Sequence, residues 1–359
     1  MEKIVLVTGG CGFIGTNFIK ETLKKRENYF IINLDKLTYA GNLENLKDEE
    51  GNPRYTFVKG DICDEGLVDF LVSRGGELFG FKGKGVDYIV NFAAESHVDR
   101  SILGPKEFLI TNVFGTFNLL EASRRWNIEK FLHVSTDEVY GSLGDEGSFR
   151  EDTPYAPSSP YSASKASSDH FVYAYFKTYG LPTVITNCSN NFGPYQFPEK
   201  LIPLVILRAF EGKPIPIYGD GKNVRDWIYV LDHVEGILTV LEKGRPGEKY
   251  NIGARCEWQN IELVKLILSL LEKKLGKREG ELMKLITFVE DRPGHDRRYA
   301  IDPSKIEREL GWKAKTPFKK AIEDTVDWYI KNKDWMYRVI SGEYRDYFEK
   351  QYGRRLKNG

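Results

Sequence analysis

The chain has 359 residues, of which 41% are apolar and 29% are charged, and its 52 basic and 52 acidic residues give a formal net charge of zero. This balance excludes the strongly basic surface of a typical nucleic-acid-binding protein, and the composition excludes a largely disordered chain. No apolar run approaches the length of a membrane-spanning helix, and the first residues lack a secretory signal. The length predicts one large domain with a smaller lobe, or two domains.

In chain order, the first half alternates strand-like and helix-like segments. Helical patterns cover Phe13–Lys25 and the stretch from about Phe108 to Trp126. Short apolar runs that predict buried strands lie around them, at Ile4–Val7, Phe30–Leu34, Tyr55–Val58, Tyr88–Phe92 and Phe131–Ser135. Buried strands separated by helices predict an α/β fold with a doubly wound, Rossmann-like parallel sheet. Its ligand site is expected at the carboxyl ends of the strands.

After about Cys188 the alternation loosens and prolines become frequent. Helical patterns cover Ile261–Leu275 and Phe318–Lys331. We interpret residues 1–188 as the cofactor-binding domain and residues 189–332 mainly as a smaller, mixed α/β substrate lobe, some of whose segments return to the sheet. Residues 333–359 form a charged and aromatic tail without an assigned structure, and Gly75–Gly85 is predicted to be a surface loop.

The four cysteines are Cys11, Cys63, Cys188 and Cys256, and no two of them form a CxxC pair. Such isolated thiols are typical of a reduced, cytoplasmic protein. Their spacing predicts no metal site.

A glycine-rich loop joins the first strand to the first helix. Gly10, Gly12 and Gly15 fit GxGxxG, and Gly9, Gly12 and Gly15 fit GxxGxxG. Glycines at this place let the backbone approach a pyrophosphate at the helix N-terminus. A tight turn without a ligand would use the same residues.

Three later features support a dinucleotide. Asp35 ends the second strand about 20 residues after the loop, where a carboxylate binds a ribose 2′-hydroxyl and repels a 2′-phosphate, so NAD is favoured over NADP. Asp61 ends the third strand and either faces the adenine or is an ordinary loop acid. Ala93 and Ala94 follow the fourth strand and are small enough for a cofactor to lie against them.

Tyr161 and Lys165 stand four residues apart, just after Pro160, which suits the first position of a helix. The pair shares one helix face, and a nearby ammonium is expected to lower the pKa of the tyrosine. Tyr161 is then a candidate base for the proton of a sugar hydroxyl. A simple surface pair at this spacing is the alternative.

The segment Thr136-Asp137-Glu138 follows the fifth predicted strand, where chemistry is expected in this fold. Thr136 can hydrogen-bond a reacting hydroxyl, and the two carboxyl groups offer an acid and a base. Eliminating water from a 4-keto sugar requires both: one group removes the C5 proton and the other protonates the departing C6 oxygen. Two solvated loop acids are the alternative.

These motifs together resemble the dTDP-glucose 4,6-dehydratases, which belong to the extended short-chain dehydrogenase/reductases. The resemblance runs from about Thr8 to Asp302. The stretches that carry it are TGGCGFIG, LDKLTYAGN, NFAAESHVDRS, STDEVYG, YAPSSPYSASKASSDHFV, TNCSNNFGPYQFPEKLIPL, VRDWIYVLDH and DRPGHDRRYAID.

The resemblance implies a reaction cycle with bound NAD. Tyr161 would take the C4 hydroxyl proton while hydride leaves C4. Glu138 would then remove the C5 proton, Asp137 would protonate the C6 hydroxyl as water departs, and hydride would return to C6. Lys165 would orient Tyr161 and the nicotinamide ribose. The implied product is dTDP-4-keto-6-deoxyglucose.

The resemblance also implies the binding residues. Those implied for NAD are Gly9, Gly12, Phe13, Ile14, Gly15, Asp35, Asp61, Ile62, Ala93, Ala94, Tyr161 and Lys165. Those implied for the nucleotide-sugar are Asn190 and Arg225 at the diphosphate, Lys200 and Leu201 at the nucleotide end, Pro216 and Tyr218 at the thymine, Asn260 and His295 beside them, and His97 and Arg100 near the sugar. A homodimer is implied as well, built on helices near Asn112–Arg125 and Tyr161–Tyr179.

Other readings stay open at this point. A 4-epimerase on the same scaffold needs Tyr161 and NAD but no elimination pair, and a decarboxylase would place Asp137 against a substrate carboxylate. A UDP- or GDP-sugar dehydratase differs only in the base that it binds. A binding protein that has lost its chemistry would be expected to lack some of these residues.

Overall fold

A computed structural model of the chain describes residues 1–340, 348–353 and 356. The described strands are β1 (Lys3–Thr8), β2 (Tyr29–Asp35), β3 (Tyr55–Lys59), β4 (Tyr88–Asn91), β5 (Lys130–Thr136), β6 (Thr183–Cys188), β7 (Asn190–Phe192), β8 (Ile215–Tyr218), β9 (Val224–Tyr229), β10 (Lys249–Ile252), β11 (Glu257–Gln259) and β12 (Ile286–Val289).

The described α-helices are α1 (Phe13–Lys25), α2 (Glu65–Arg74), α3 (Val98–Leu103), α4 (Pro105–Phe108), α5 (Thr116–Trp126), α6 (Pro160–Tyr179), α7 (Leu201–Glu211), α8 (Val230–Lys243), α9 (Asn260–Leu275), α10 (Ser304–Leu310), α11 (Phe318–Lys331) and α12 (Lys333–Val339). Short 3-10 turns cover Leu43–Glu49, Gly75–Phe79, Asp137–Tyr140 and Leu282–Leu285, and π-helical turns cover Leu109–Gly115 and Glu349–Gly353.

A seven-stranded sheet in the order β10-β6-β5-β4-β1-β2-β3 forms the larger layer, and every neighbouring pair in it is parallel. This confirms the predicted doubly wound, Rossmann-like sheet. Because all strands run the same way, Thr8, Asp35, Asn91, Thr136 and Cys188 end at one edge. That edge carries the site described below.

Helices cover both faces of this sheet. Val5 and Val7 of β1 pack in one apolar cluster with residues of α1 and α8, while Ile4 and Leu6 pack on the opposite face with residues of α2, α5 and α6. Side chains of a strand point alternately to the two faces, so a strand that is apolar at every position must be buried on both sides. This is why the run Ile4–Val7 lacks the polar alternation of a surface strand.

The smaller lobe holds a three-stranded sheet (β11-β9-β7) and a parallel pair (β8 with β12). In the first of these, β7 is parallel and β11 antiparallel to β9. Residues of α7, α9 and α11 pack with Phe192 and Trp227 in a separate core. β10, which follows α8 in the chain, instead joins the large sheet beside β6. The domain boundary at residue 188 stays a prediction.

Two expectations about local structure differ from what the structure describes. The surface loop predicted for Gly75–Gly85 was wrong at its start, because Gly75–Phe79 is a 3-10 turn and Gly75 packs tightly against Ile32. The helix predicted from Phe108 begins earlier, at Pro105, and contains the π-helical turn. Of the unassigned tail, α12 and the turn Glu349–Gly353 are described, whereas residues 341–347, 354, 355 and 357–359 lie outside the described residues.

Among the described residues, no helix is both long and apolar enough to cross a membrane. The same residues contain no cluster of three or more histidine, cysteine, aspartate or glutamate side chains that could hold a metal ion. The four cysteines form no disulfide.

Candidate active site

The glycine loop is fixed by close backbone contacts. Gly9 has a φ of +70°, and a Cβ atom placed there would lie 2.7 Å from the Ala93 nitrogen. A Cβ at Gly15 would lie 2.4 Å from the Gly9 carbonyl oxygen. Gly12 caps α1 without a side-chain hydrogen bond, so the amino end of the helix opens on a cleft that Gly9, Gly12 and Gly15 line. Such an end, with its positive dipole, favours a bound phosphate.

Asp35 stands at the end of β2 on the wall of the same cleft. Its carboxylate oxygens accept hydrogen bonds from the backbone N–H groups of Cys11 (2.9 Å) and Leu37 (2.8 Å). These bonds hold the acid in one orientation next to the glycine loop. Burial nevertheless raises the pKa of Asp35 above its ordinary value.

Asp61, at the end of the neighbouring strand, also lines the cleft and forms an ion pair of 2.7 Å with Lys36. Lys36 lines the cleft too and was not identified from the sequence. This ion pair is compatible with both possibilities for Asp61, which are a contact with the adenine and an ordinary loop acid.

The candidate catalytic residues come from two adjoining elements. Thr136 ends β5, and Asp137 and Glu138 begin the 3-10 turn that follows it. Tyr161 and Lys165 lie one turn apart near the start of α6, whose N-cap Ser159 forms a reciprocal capping box with Ser162. This cap fixes where α6 begins and hence where Tyr161 points. The cleft wall includes all five catalytic candidates: Thr136, Asp137, Glu138, Tyr161 and Lys165.

The two carboxyl groups differ in their surroundings. Asp137 is buried, its Oδ2 atom has no hydrogen-bond partner among the described residues, and burial together with the charge of Glu138 raises its pKa well above the ordinary value. Burial also raises the pKa of Glu138, but the positive charges of Arg292, Lys200 and Arg225 oppose that rise. Neighbouring carboxyls whose surroundings differ in this way are suited to the roles of acid and base.

The prediction that Lys165 lowers the pKa of Tyr161 was wrong for the protein without a bound cofactor. Burial, followed by the charge of Glu138, raises the pKa of Tyr161 well above its ordinary value. The Lys165 ammonium is directed elsewhere: its Nζ donates to the carbonyl oxygen of Val134 (2.8 Å) and lies 3.2 Å from His133 Nε2. Burial lowers the pKa of Lys165 to about 8.

The predicted substrate residues divide into two groups. Asn190 and Lys200 line the cleft beside the catalytic residues, and the Lys200 ammonium donates to the Ser96 carbonyl oxygen at 3.0 Å. Asn190 Oδ1 is buried and has no partner among the described residues. The others do not line this cleft, namely His97, Arg100, Leu201, Pro216, Tyr218, Arg225, Asn260 and His295.

Within this second group, the charge of Arg225 acts on Asp137, Glu138 and His295. The Arg225 guanidinium stacks on Tyr299 and donates to the carbonyl oxygens of Val224 (2.8 Å) and Asp296 (3.0 Å). The rings of Tyr218 and His295 lie 5.9 Å apart. Asn260 Oδ1, on the first residue of α9, is buried without a partner among the described residues.

The remaining members have structural contacts on the described chain. Arg100 stacks on the Tyr39 ring at 3.5 Å and bonds the buried Glu199 carboxylate at 3.2 Å. His97 is buried, and the charge of Arg100 acts on it. Leu201 begins α7 and Pro216 is buried in β8.

Sequence reasoning did not single out Glu199, which lines the cleft, or Arg292, although both lie in quoted motif stretches. Arg292 donates to Asp99 at 3.3 Å and is the strongest of the positive charges that act on Glu138. The ion pair with Asp99, which lies on α3, positions this arginine. No local pattern in the sequence signals such a long-range pair.

The family model described as GDP-mannose 4,6 dehydratase matches residues 6–325. The dTDP-glucose 4,6-dehydratase of Xanthomonas campestris pv. campestris (strain B100) is 55% identical over 350 residues, which cover 95% of this chain and 97% of that protein. This chain belongs to the dTDP-glucose 4,6-dehydratase family. The resemblance drawn from the motifs is thereby confirmed.

Two solved structures of this family match closely. The dTDP-glucose 4,6-dehydratase of Bacillus anthracis str. Ames, in complex with NAD, is 49% identical with a TM-score of 0.83, covering 94% of this chain and 99% of that one. The enzyme of Streptomyces venezuelae, with NAD and dTDP bound, is 46% identical with a TM-score of 0.85, at the same coverage of both chains.

The residues of this chain fit NAD. The glycine loop has no room for a Cβ at Gly9 or Gly15, the amino end of α1 opens on the cleft, and an anchored acid, Asp35, stands where a ribose hydroxyl would bind. A 2′-phosphate at that place would meet the carboxylate, which favours NAD over NADP.

Proposed function

We propose that this chain is an NAD-dependent dehydratase that converts dTDP-glucose to dTDP-4-keto-6-deoxyglucose and water. The observation that carries the proposal is the acidic pair Asp137–Glu138 on the wall of the dinucleotide cleft, beside Tyr161. A redox step alone needs no such pair, whereas elimination of water needs both an acid and a base.

Tyr161 is the proposed base of the first step. As hydride leaves C4 of the sugar, the Tyr161 oxygen accepts the C4 hydroxyl proton, and Thr136 hydrogen-bonds the same hydroxyl. Bound NAD would supply the hydride acceptor for C4 and, in its reduced form, the hydride donor for C6. Burial and the Glu138 charge raise the pKa of Tyr161 in the protein alone, so the positive charges of the bound cofactor and of Lys165 would be needed to favour the phenolate that accepts this proton.

Glu138 and Asp137 carry out the elimination. The ketone at C4 acidifies the C5 proton, which Glu138 removes as the less strongly perturbed acid of the two. Asp137 is held protonated by burial and by the neighbouring negative charge, so it can donate a proton to the departing C6 oxygen. The two groups exchange roles when the proton returns to C5.

The nucleotide end of the substrate is assigned to the smaller lobe. Asn190 and Arg225 contact the diphosphate, Lys200 and Leu201 line the nucleotide end, and Pro216 and Tyr218 flank the thymine. Asn260 and His295 lie beside them, and His97 and Arg100 lie near the sugar. The support is chemical, since Asn190 Oδ1 and Asn260 Oδ1 are buried polar atoms without described partners.

The test is incubation of the purified protein with dTDP-glucose, without added NAD, followed by mass spectrometry of the nucleotide-sugar. Loss of one water supports the proposal and shows that NAD is retained and recycled. With NAD added, a product of unchanged mass indicates an epimerase, and loss of carbon dioxide from a uronate substrate indicates a decarboxylase. Turnover of UDP- or GDP-glucose but not of dTDP-glucose would overturn the choice of base.

A homodimer is part of the proposal. Large apolar side chains are exposed on the π-helical turn before α5 and on α6, including Leu109 (58% exposed), Phe114 (44%) and Phe171 (42%). An exposed apolar patch on two adjacent helices favours an interface with a second copy of the chain. Light scattering at the mass of a monomer would contradict it. The cytoplasm is the proposed compartment, in keeping with four unpaired cysteines.

A further inference from the structure

A chain of buried polar groups lies behind Lys165, on the side away from the cleft. The Lys165 ammonium is 3.2 Å from His133 Nε2, and the same nitrogen is 3.5 Å from Asp169 Oδ1. Lys165, His133 and Asp169 are each at most 3% exposed. His133 stands on β5, and Asp169 stands one turn beyond Lys165 on α6.

The two carboxylate oxygens of Asp169 have different surroundings. Its Oδ2 atom accepts hydrogen bonds from Ser135 Oγ (2.8 Å), Tyr155 Oη (2.9 Å) and Asn187 Nδ2 (3.4 Å). Its Oδ1 atom, in contrast, has no hydrogen-bond partner among the described residues and faces the imidazole. Burial raises the pKa of Asp169, whereas the charge of Lys165 and these three donors oppose that rise, because each of them stabilises negative charge.

His133 lies against both Lys165 and Asp169, and the same ring nitrogen, Nε2, is the atom nearest to each. Its Nδ1 lies 3.1 Å from Asn91 Nδ2, and its Nε2 also lies 3.2 Å from Ser168 Oγ. Burial and the charge of Lys165 lower the pKa of His133 well below its ordinary value, so the imidazole is neutral. A neutral ring at this place adds no third charge beside Lys165 and Asp169.

A buried ammonium is costly unless an opposite charge offsets the loss of water. The titratable groups that act on the Lys165 charge are Asp169 on its own helix and Cys188 on β6, and the Lys165 charge in turn acts on His133 on β5. On the cleft side, Glu138 acts on Tyr161. Glu121 of α5, which packs on α6, bonds Tyr175 ten residues further along the helix. Asp169 is therefore the acidic group placed to keep Lys165 charged.

We propose that Asp169 and His133 are positioning residues for the reaction: the Asp169 carboxylate keeps Lys165 charged, and the His133 imidazole packs against the ammonium at the cleft wall that also carries Tyr161. This inference rests on the proposed function, since it gives Lys165 a charge that the proton transfer at Tyr161 needs. Neither residue touches the cleft, and no role was assigned to them from the sequence.

The test is the pH profile of dTDP-glucose turnover in Asp169→Asn, which removes the charge and keeps the shape. Burial already lowers the pKa of Lys165 to about 8, and loss of the opposing charge is expected to lower it by about one further unit. Turnover should then fall about fivefold at pH 8 and stay nearly unchanged at pH 6.5, relative to the unmodified protein. Asp169→Glu, which restores the charge, should return the basic limb of the profile towards its original position.

Asp87→Asn is the matched control. Asp87 is a partly buried carboxylate beside Lys84 (3.2 Å) and Lys3 (3.9 Å) just before β4, at the opposite edge of the sheet, and its substitution should leave the basic limb in place. A uniform loss of rate at every pH in Asp169→Asn, or a basic limb that does not move, would overturn the proposal. If the unmodified protein forms the product, the proposed function holds, and such a result in the variant counts against the role of Asp169 alone.

A second measurement needs no substitution of Asp169 and decides the matter if that variant does not fold. The chain has only five histidines, so nitrogen NMR of histidine-labelled protein can be assigned with single substitutions. The resonances of His133 should stay those of a neutral imidazole from pH 5 to pH 9. Titration of His133 near its ordinary pKa of about 6.5 would refute a neutral ring beside Lys165 and Asp169.

Discussion

Gly15→Ala should destabilise the folded protein, whereas Gly12→Ala should leave it folded and weaken NAD binding. A Cβ at Gly15 would lie 2.4 Å from the Gly9 carbonyl oxygen and 2.7 Å from the Gly10 Cα, and both contacts are with backbone that cannot rotate away. Forcing one extra methyl group into a packed site costs about 1–3 kcal/mol, and backbone neighbours place this substitution at the upper end. The expected loss in free energy of unfolding is therefore about 3 kcal/mol.

At Gly12 the protein leaves more room. Its φ of −78° is open to any residue, and the nearest atom to an added Cβ is the Gly9 carbonyl oxygen at 3.3 Å. Gly12 lines the cleft at the amino end of α1, so the added methyl group would occupy space that the cofactor needs. The loss should appear in the affinity for NAD and only slightly in stability.

Thermal unfolding of the protein freed of nucleotide, with calorimetric titration of NAD, separates the two effects. Gly104→Ala serves as the control for an added methyl group, because the nearest atom to its Cβ is 3.9 Å away and its φ is negative. A Gly15→Ala protein that melts with the unmodified one would refute the packing argument. Unchanged NAD affinity in Gly12→Ala would refute the placement of the pyrophosphate.

Glu138→Gln should keep the fold and reduce exchange of the C5 hydrogen with solvent deuterium by about 100-fold or more, as read by mass spectrometry; unchanged exchange would reject Glu138 as the base. Tyr161→Phe should lower the rate of C4 oxidation by a similar factor, as followed by the absorbance at 340 nm in a single turnover. Near-normal turnover would exclude Tyr161 as the base of this step. Asp137→Asn should melt at a higher temperature than the unmodified protein at pH 8. The pKa of Asp137 is raised in the folded state, so its contribution to stability is complete below the unfolded value of 3.8 and is lost as the pH rises. The difference should narrow at lower pH, and a gap that does not depend on pH would contradict this account.

Much of the fold and of the cofactor cleft could be predicted from local patterns. The run Ile4–Val7, the glycines after it and the acid Asp35 are close in sequence, and a strand, a tight turn and a helix start are local structures. Parallel strands end at one edge, so residues at or just after strand ends, such as Thr136 and Ala93, are predicted to lie there without any knowledge of side-chain packing. The spacing of Tyr161 and Lys165 likewise placed them on one helix face.

Only the tertiary structure decided the electrostatics of the site. The sequence places a lysine four residues from Tyr161 and suggests a lowered tyrosine pKa, but in the fold the Lys165 ammonium bonds Val134 and His133 while burial acts on Tyr161. The charge of Arg292 acts on Glu138, although the two residues are 154 positions apart in the chain. Charge, burial and hydrogen-bond partners depend on which distant segments meet, and that is set by packing of the whole chain, whereas spacing along a strand or helix is set by the backbone alone.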